Sequence, residues 1–274
     1  MEFLPVYFVP TVVFILGLII GSFLDVIVCR FHTGKSINGR SRCLSCGHTL
    51  SWYELFPLLS YLCLCGRCLK CEGHIPLRLL ATELLTAFLF LYVAVQTQAL
   101  IALGFGLVLA AVLIVVVLYD YNHMVIPHEF VFALCALAVI FLTATVYTSQ
   151  QMLTLVPFII SAIGSFLFYA GLWFVSKGRW IGLGDAKLAF ALGLMLPPAM
   201  AFSMVVFSFW IGAVVSVLLL TLQRLARSGK KHLPFLHIPL TMKSEIPFAP
   251  FLVCSFILVF FGRIELFTLI AYLL

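Results

Sequence analysis

Long, unbroken runs of apolar residues constrain this chain more than any other feature. A helix needs about 20 such residues to cross the roughly 30 Å hydrocarbon core of a bilayer. The runs recur at Val6–Val28, Leu79–Val95, Ala99–Leu118, Phe130–Val146, Leu153–Phe174, Leu183–Leu196, Met200–Leu222 and Pro247–Phe261. They are apolar on every side rather than alternating, which predicts helices and not the strands of a transmembrane barrel. The sixth run is short, and Pro197-Pro198 follows it. Only 9% of residues are charged, against about 25% in soluble proteins, so most of the surface cannot face water. The expected fold is an all-α polytopic membrane protein of about eight transmembrane helices. The first run is too long for a signal-peptide core and has no basic residue before it, which predicts a retained anchor.

The positive charges set an orientation, because Lys and Arg concentrate in cytosolic loops. Seven fall between Arg30 and Arg78, namely Arg30, Lys35, Arg40, Arg42, Arg67, Lys70 and Arg78. Lys177, Arg179 and Lys187 flank the sixth run, and Arg224, Arg227, Lys230, Lys231 and Lys243 follow the seventh. Only Arg263 falls on the other side. Eight spans with both termini outside satisfy this distribution. The net charge of +6 therefore describes one membrane face and its attraction to anionic lipid, and gives no support for a nucleic-acid partner.

One sizeable polar segment interrupts the apolar pattern, between the first two runs. It divides the chain into a first transmembrane helix (1–28), a cytosolic domain (29–78) and a membrane core of about seven helices (79–274). The domain contains Cys43-Leu-Ser-Cys46 and Cys68-Leu-Lys-Cys71, 21 residues apart. Two CxxC knuckles at this distance suit tetrahedral thiolate coordination of zinc. A metal can replace much of the core that so short a segment cannot build. Reducing cytosol opposes a disulfide reading. Cys63, Cys65, His48 and His74 also stand within reach as alternative ligands, and Cys65-Gly-Arg-Cys68 is a third CxxC. Cys29, Cys135 and Cys254 lie in or beside apolar runs as packing residues. Four sulfurs leave no open coordination position, so the zinc is expected to be structural.

Ten acidic residues are few enough to take one by one. Asp25, Glu83, Asp120, Glu129 and Asp185 lie in or at the ends of spans, where burying a carboxylate is costly and marks a functional candidate. Asp120 ends the third run in Leu118-Tyr-Asp-Tyr-Asn-His-Met-Val-Ile-Pro127, and Asp185 opens the sixth in Ile181-Gly-Leu-Gly-Asp-Ala-Lys187. The topology puts both at the cytosolic face. Two carboxylates held close share a proton, so one can act as general base on water while the other protonates a scissile carbonyl. That is aspartyl protease chemistry. Gly182 and Gly184 suit a tight turn or a close backbone approach.

Taken together, these residues resemble the type IV prepilin peptidases, bacterial inner-membrane enzymes of the GxGD aspartyl protease class. The likeness runs through Gly21-Ser-Phe-Leu-Asp-Val26, the first knuckle, Pro57-Leu-Leu-Ser-Tyr61, the second knuckle and Thr82-Glu-Leu-Leu-Thr86. It continues at Asp120 with Ile126-Pro127, Gly182-Leu-Gly-Asp-Ala-Lys-Leu188 and Ile246-Pro-Phe-Ala-Pro-Phe251. Asp25 stands where the family usually has Asn, and Ala249 where it usually has Gly. The resemblance implies that Asp120 and Asp185 are catalytic, with Gly182, Gly184, Lys187 and Pro127 supporting the site. It picks Cys43, Cys46, Cys68 and Cys71 as metal ligands. It implies cleavage of the short basic leader of a type IV prepilin or pseudopilin after a glycine at the cytosolic face. It also implies methylation of the new N terminus with S-adenosylmethionine. Glu54, Glu72, Glu83 and Glu129 are candidates to meet the leader's basic residues. Two other classes compete: a different GxGD intramembrane protease, which has no need of the knuckles, and a non-enzymatic zinc-binding membrane assembly factor, which has no need of both aspartates.

Overall fold

The computed structural model describes residues 8–32, 39–43, 45–228 and 247–273. Lys35, Lys230, Lys231, Lys243 and Ile246, which the sequence reading used, lie outside them. Ten α-helices follow in order: α1 (Phe8–Arg30), α2 (Leu59–Cys63), α3 (Leu77–Gln96), α4 (Leu100–His123), α5 (His128–Ser149), α6 (Leu155–Ser176), α7 (Leu183–Gly193), α8 (Pro198–Ser228), α9 (Ala249–Phe260) and α10 (Leu266–Leu273). Apart from two isolated antiparallel bridges, the described residues form no strand. The chain packs as two units, residues 1–119 and 120–274, and the division falls inside α4.

Among the described residues six helices are long and apolar enough to cross a membrane: α1, α3, α4, α5, α6 with the short turn before it, and α8 to Leu222. They match six of the eight expected spans. The other two differ in kind. α7 has 11 residues and α9 has 12, which at 1.5 Å per residue is roughly 17–18 Å, well short of the bilayer core. Both are covered by protein: α7 packs on α5, α6 and α9, and α9 also packs on α8. Short helices are tolerated at membrane depth when protein rather than lipid surrounds their ends. Apolar runs do not distinguish a helix sheathed by lipid from one sheathed by other helices. α10, beyond the last expected span, packs on α8.

Within residues 1–119, α1 lies along α3. The buried positions of α1 are Val13, Gly17, Gly21, Leu24, Asp25 and Val28, a stripe at helical spacing. Phe8, Val12, Ile15, Ile19 and Phe23 are exposed on the rest of its surface, as a lipid-facing side requires. Gly17 and Gly21 set the helix separation. A Cβ on Gly17 would stand 2.6 Å from Ala87 Cα, and one on Gly21 would stand 2.9 Å from Glu83 Cα. This is the small-xxx-small contact by which membrane helices approach closely. Because the obstructing atoms are backbone, Gly17→Val must drive the helices apart. We expect a loss of about 1–3 kcal/mol, the usual penalty of overpacking, read as a lowered melting temperature in detergent; an unchanged melting curve would contradict this packing.

In residues 120–274 the same device recurs between α6 and α7, where a Cβ on Gly193 would stand 2.9 Å from Ala162 Cα. α7 is the most enclosed element, with Asp185, Ala186, Leu188, Ala189, Ala191, Leu192 and Gly193 all buried. Small residues on several sides let three neighbours close around it.

Candidate active site and metal centre

Asp120 lies within α4, one turn before its end at His123, rather than at a helix terminus. It is 5% exposed. Its Oδ2 accepts the backbone N–H of Ala249 at 3.2 Å, the first residue of α9. The first N–H groups of a helix have no internal partner and carry partial positive charge, so the carboxylate supplies what the helix start lacks. Pro250 follows at a position where a missing N–H costs nothing. The Pro247-Phe-Ala-Pro-Phe251 segment thus has a local purpose: it starts a helix against Asp120.

Asp185 repeats the arrangement on another helix. It is the third residue of α7, and its Oδ2 accepts the Gly182 N–H at 3.1 Å while its own N–H donates to Gly182 O at 3.2 Å. It is 7% exposed. Asp120 and Asp185 interact electrostatically. Among the described residues neither acid has a hydrogen bond to Oδ1, so each is fixed through one oxygen and offers the other.

The supporting motif residues fall around this pair for reasons partly unlike those expected. Gly182 has φ −76° and ψ 152°, which any residue adopts, so it makes no glycine-only turn. Gly184 is needed for a close approach: a Cβ there would stand 3.3 Å from Ile126 Cβ. That contact joins the Gly-x-Gly-Asp segment to the Ile126-Pro127 segment. Pro127 is buried and caps the start of α5. Lys187 is half-buried one turn after Gly184.

Tyr169 escaped sequence reasoning. It is fully buried on α6, its hydroxyl lies 2.8 Å from Ser208 Oγ, and it interacts electrostatically with Asp185. Its ring packs with Phe209 and Phe248. Nothing in Phe166-Leu-Phe-Tyr-Ala170 separates this tyrosine from its aromatic neighbours. A polar tip inside a mostly apolar helix was the available signal.

The cysteines form a second centre, within residues 1–119. The sulfurs of Cys43, Cys46, Cys68 and Cys71 all lie within 4.8 Å of one another, and Cys43 Sγ is 3.8 Å from Cys71 Sγ. Tetrahedral zinc with Zn–S bonds of about 2.3 Å requires sulfurs about 3.8 Å apart, so the donor set fits that ion. Each knuckle is a small turn of the same design. Cys43 N–H donates to His48 O and Gly47 N–H to Cys43 O; Cys68 N–H donates to Gly73 O and Glu72 N–H to Cys68 O. The residue four places after the first cysteine is left-handed in both, Gly47 at φ +71° and Glu72 at φ +56°. The backbone N–H groups of Cys46 and Ser45 bring the Cys43 thiol down to about 6. Cys71, despite the Gly73 N–H, is pushed up to about 12 by the crowding sulfurs of Cys46, Cys68 and Cys43. Such a set favours a cation in place of its protons. Cys63, Cys65, His48 and His74 do not join the cluster.

Of the acids set aside to meet basic residues of a peptide, Glu72 and Glu129 are exposed. Glu54 and Glu83 are buried, each 9% exposed, and do not present to a passing chain.

Comparison with known proteins was consistent along the chain. Residues 15–97 match the Bacterial Peptidase A24 N-terminal domain, and residues 107–217 match the Type IV leader peptidase family. A prepilin leader peptidase/N-methyltransferase of Myxococcus xanthus is 35% identical over 224 residues, covering 79% of this chain and 66% of that protein. One from Bacillus subtilis is 31% identical over 227 residues, covering 82% and 88%. One from Vibrio cholerae is 27% identical over 262 residues, covering 90% and 94%. No solved structure matches.

Proposed function

Because this chain belongs to the type IV leader peptidase family, we propose that it is a multi-pass inner-membrane aspartyl endopeptidase that removes the leader of type IV prepilins or pseudopilins and methylates the new N terminus. The observation that carries the reading is the pair Asp120 and Asp185, two buried acids interacting with each other and each tethered by one oxygen to the N terminus of a short buried helix. Residues 1–28 serve as anchor, 29–78 as the zinc-binding domain and 79–274 as the peptidase core, with the zinc domain and the acids on the cytosolic side.

In the reaction one acid is ionised and the other protonated. The ionised acid takes a proton from water as the oxygen attacks the carbonyl carbon of the leader's final glycine. The protonated acid donates to the carbonyl oxygen, giving a neutral gem-diol. Collapse breaks the C–N bond, the amine leaves with a proton, and the pair regains its shared proton. Helix N-termini hold both acids in place before substrate arrives, so little reorganisation is needed. Cys43, Cys46, Cys68 and Cys71 would hold zinc, which when bound would supply folding energy to the cytosolic domain and leave no open coordination position for substrate. S-adenosylmethionine, when bound, would supply a methyl group to the freed N-terminal amine.

The test is direct. Purified protein in lipid nanodiscs is mixed with a prepilin, with and without S-adenosylmethionine, and products are read by mass spectrometry. We expect a single cut after glycine, and one added methyl group only when donor is present. An intact prepilin with zinc bound in full would overturn the peptidase reading in favour of a non-enzymatic assembly factor. Cutting within the apolar segment would instead assign the chain another intramembrane specificity.

A further inference from the structure

Five large apolar side chains stand out from the cysteine domain, the segment whose polarity places it in water. Tyr53, Phe56, Leu59, Leu62 and Leu69 are 49–60% exposed. Tyr53, Phe56, Leu59 and Leu69 line one open hollow, together with Cys63 and Leu64. Around α2 the exposed positions are Phe56, Leu59, Leu62 and Cys63, at the spacing that puts residues on one helix face. An exposed apolar patch on an otherwise polar segment marks a contact surface. Between Ser51 and Cys71 the charged residues are Glu54, Arg67 and Lys70. Glu54 is buried and both basic residues are exposed, so the charge offered beside the patch is positive.

The depth of the patch along α3 says what covers it. Leu58, the residue before α2, donates its N–H to Glu83 Oε2 at 2.9 Å. Glu83 lies six residues beyond Leu77, where α3 starts, about 9 Å along the helix axis. The 20 residues of α3 reach about 30 Å, the full thickness of the hydrocarbon core. α3 therefore has no length to spare outside the bilayer. Glu83, and Leu58 with it, lie below the membrane surface. The chain takes on strain to make this contact. Leu58 has φ +60° and ψ −50°, and the Leu59 N–H donates to Pro57 O at 2.6 Å, which is the rare, strained form of γ-turn. Such a conformation persists where its surroundings over-determine it, and here it aims the Leu58 N–H at an acid of α3. The neighbouring backbone is fit for a place without water. Phe56 O accepts both the N–H and the hydroxyl of Ser60, Leu58 O accepts the Leu62 N–H, and Ser60 O accepts the Leu64 N–H.

We infer that residues 53–69 form a lipid seat. The apolar face around α2 enters the acyl chains of the leaflet that borders the cysteine domain, and Arg67 and Lys70 meet the anionic headgroups above it. A soluble protein partner would have to pass below the headgroups to reach this face, whereas lipid is already there. The cysteine domain is then held to the bilayer at three places: through α1, through α3 and through this seat. The inference stands apart from the peptidase and methyltransfer readings, since it needs only that α3 crosses the membrane.

The experiment uses the full chain, one molecule per nanodisc, in phosphatidylethanolamine and phosphatidylglycerol doped with a phospholipid that carries a diazirine midway along its acyl chain. After photolysis and digestion, mass spectrometry maps the lipid adducts. We expect adducts within residues 53–69 alongside those on the exposed side of α1. In the variant that combines Leu59→Asp with Leu62→Asp, the adducts on residues 53–69 are expected to be lost, while those on α1 and the metal content are unchanged. If that variant loses metal, the wild-type map alone decides. Adducts on α1 with none on residues 53–69 of the wild type overturn the seat. So does a metal-replete variant that keeps those adducts at the wild-type yield. A prepilin with a photoreactive group in its apolar segment supplies the last contrast. Crosslinks from it to residues 53–69, with no lipid adduct there, assign the face to substrate and overturn the inference.

Discussion

Asp120→Asn and Asp185→Asn are each expected to abolish leader cleavage, slowing it by at least about 1,000-fold, while the protein remains folded with its metal content unchanged. The magnitude follows from the division of labour in a shared-proton pair: without one carboxylate the site loses its base or its acid, and losses in such a unit are not additive. The double variant is therefore expected to be no slower than either single one. Retained folding follows from the hydrogen bonds. An amide oxygen can accept the Ala249 N–H or the Gly182 N–H as the carboxylate oxygen does, and an uncharged amide costs less to bury. Initial rates on a prepilin, with thermal melting and zinc content of the same preparations, check both halves. Either variant cutting within tenfold of wild type removes that residue from the chemistry.

Stripping the metal is expected to unfold the cysteine domain selectively. Among the described residues between Phe31 and Leu80 the only buried apolar side chain is that of Cys68. A segment with so little core depends on its crosslink, and structural zinc sites contribute on the order of 10–16 kcal/mol in small domains. We expect one zinc per chain, and loss of it in Cys43→Ser and Cys68→Ser. After chelation, trypsin should cut rapidly at Arg40, Arg42, Arg67 and Lys70, while cleavage elsewhere in the chain is unchanged. Loss should also set in on acidification, since protons and metal compete for the same sulfurs. Full metal content in Cys68→Ser, or a trypsin pattern indifferent to chelator, would count against zinc as the support of this segment.

The features that could be read from sequence were those written within a few residues. Apolar length gave the six long helices, and paired CxxC spacing gave the knuckles, because each is a local physical requirement. Scarcity of charge marked Asp25, Glu83, Asp120, Glu129 and Asp185 as candidates, and the family resemblance points to Asp120 and Asp185 among them. The remainder depends on partners far along the chain. That Asp120 starts α9 requires Ala249, 129 positions away, and no local pattern encodes it. α7 and α9 resembled poor transmembrane spans because hydropathy measures apolarity, not who supplies the surroundings. Gly184 was marked for a tight turn or a close backbone approach; the approach is there, but only packing names Ile126 as the neighbour. Glu54 was among the acids expected to meet a basic leader, and only packing reveals that one of its oxygens is sealed from solvent.

The two half-length helices have a consequence for the membrane itself. A spanning helix adjusts to bilayer thickness by tilting or by deforming the lipid around it. α7, with most of its surface buried and α5, α6 and α9 packed against it, has no such negotiation to make. The depth of Asp185 is set by its packing partners, not by acyl-chain length. The packing around that acid is thereby expected to change little as bilayer thickness changes with lipid composition.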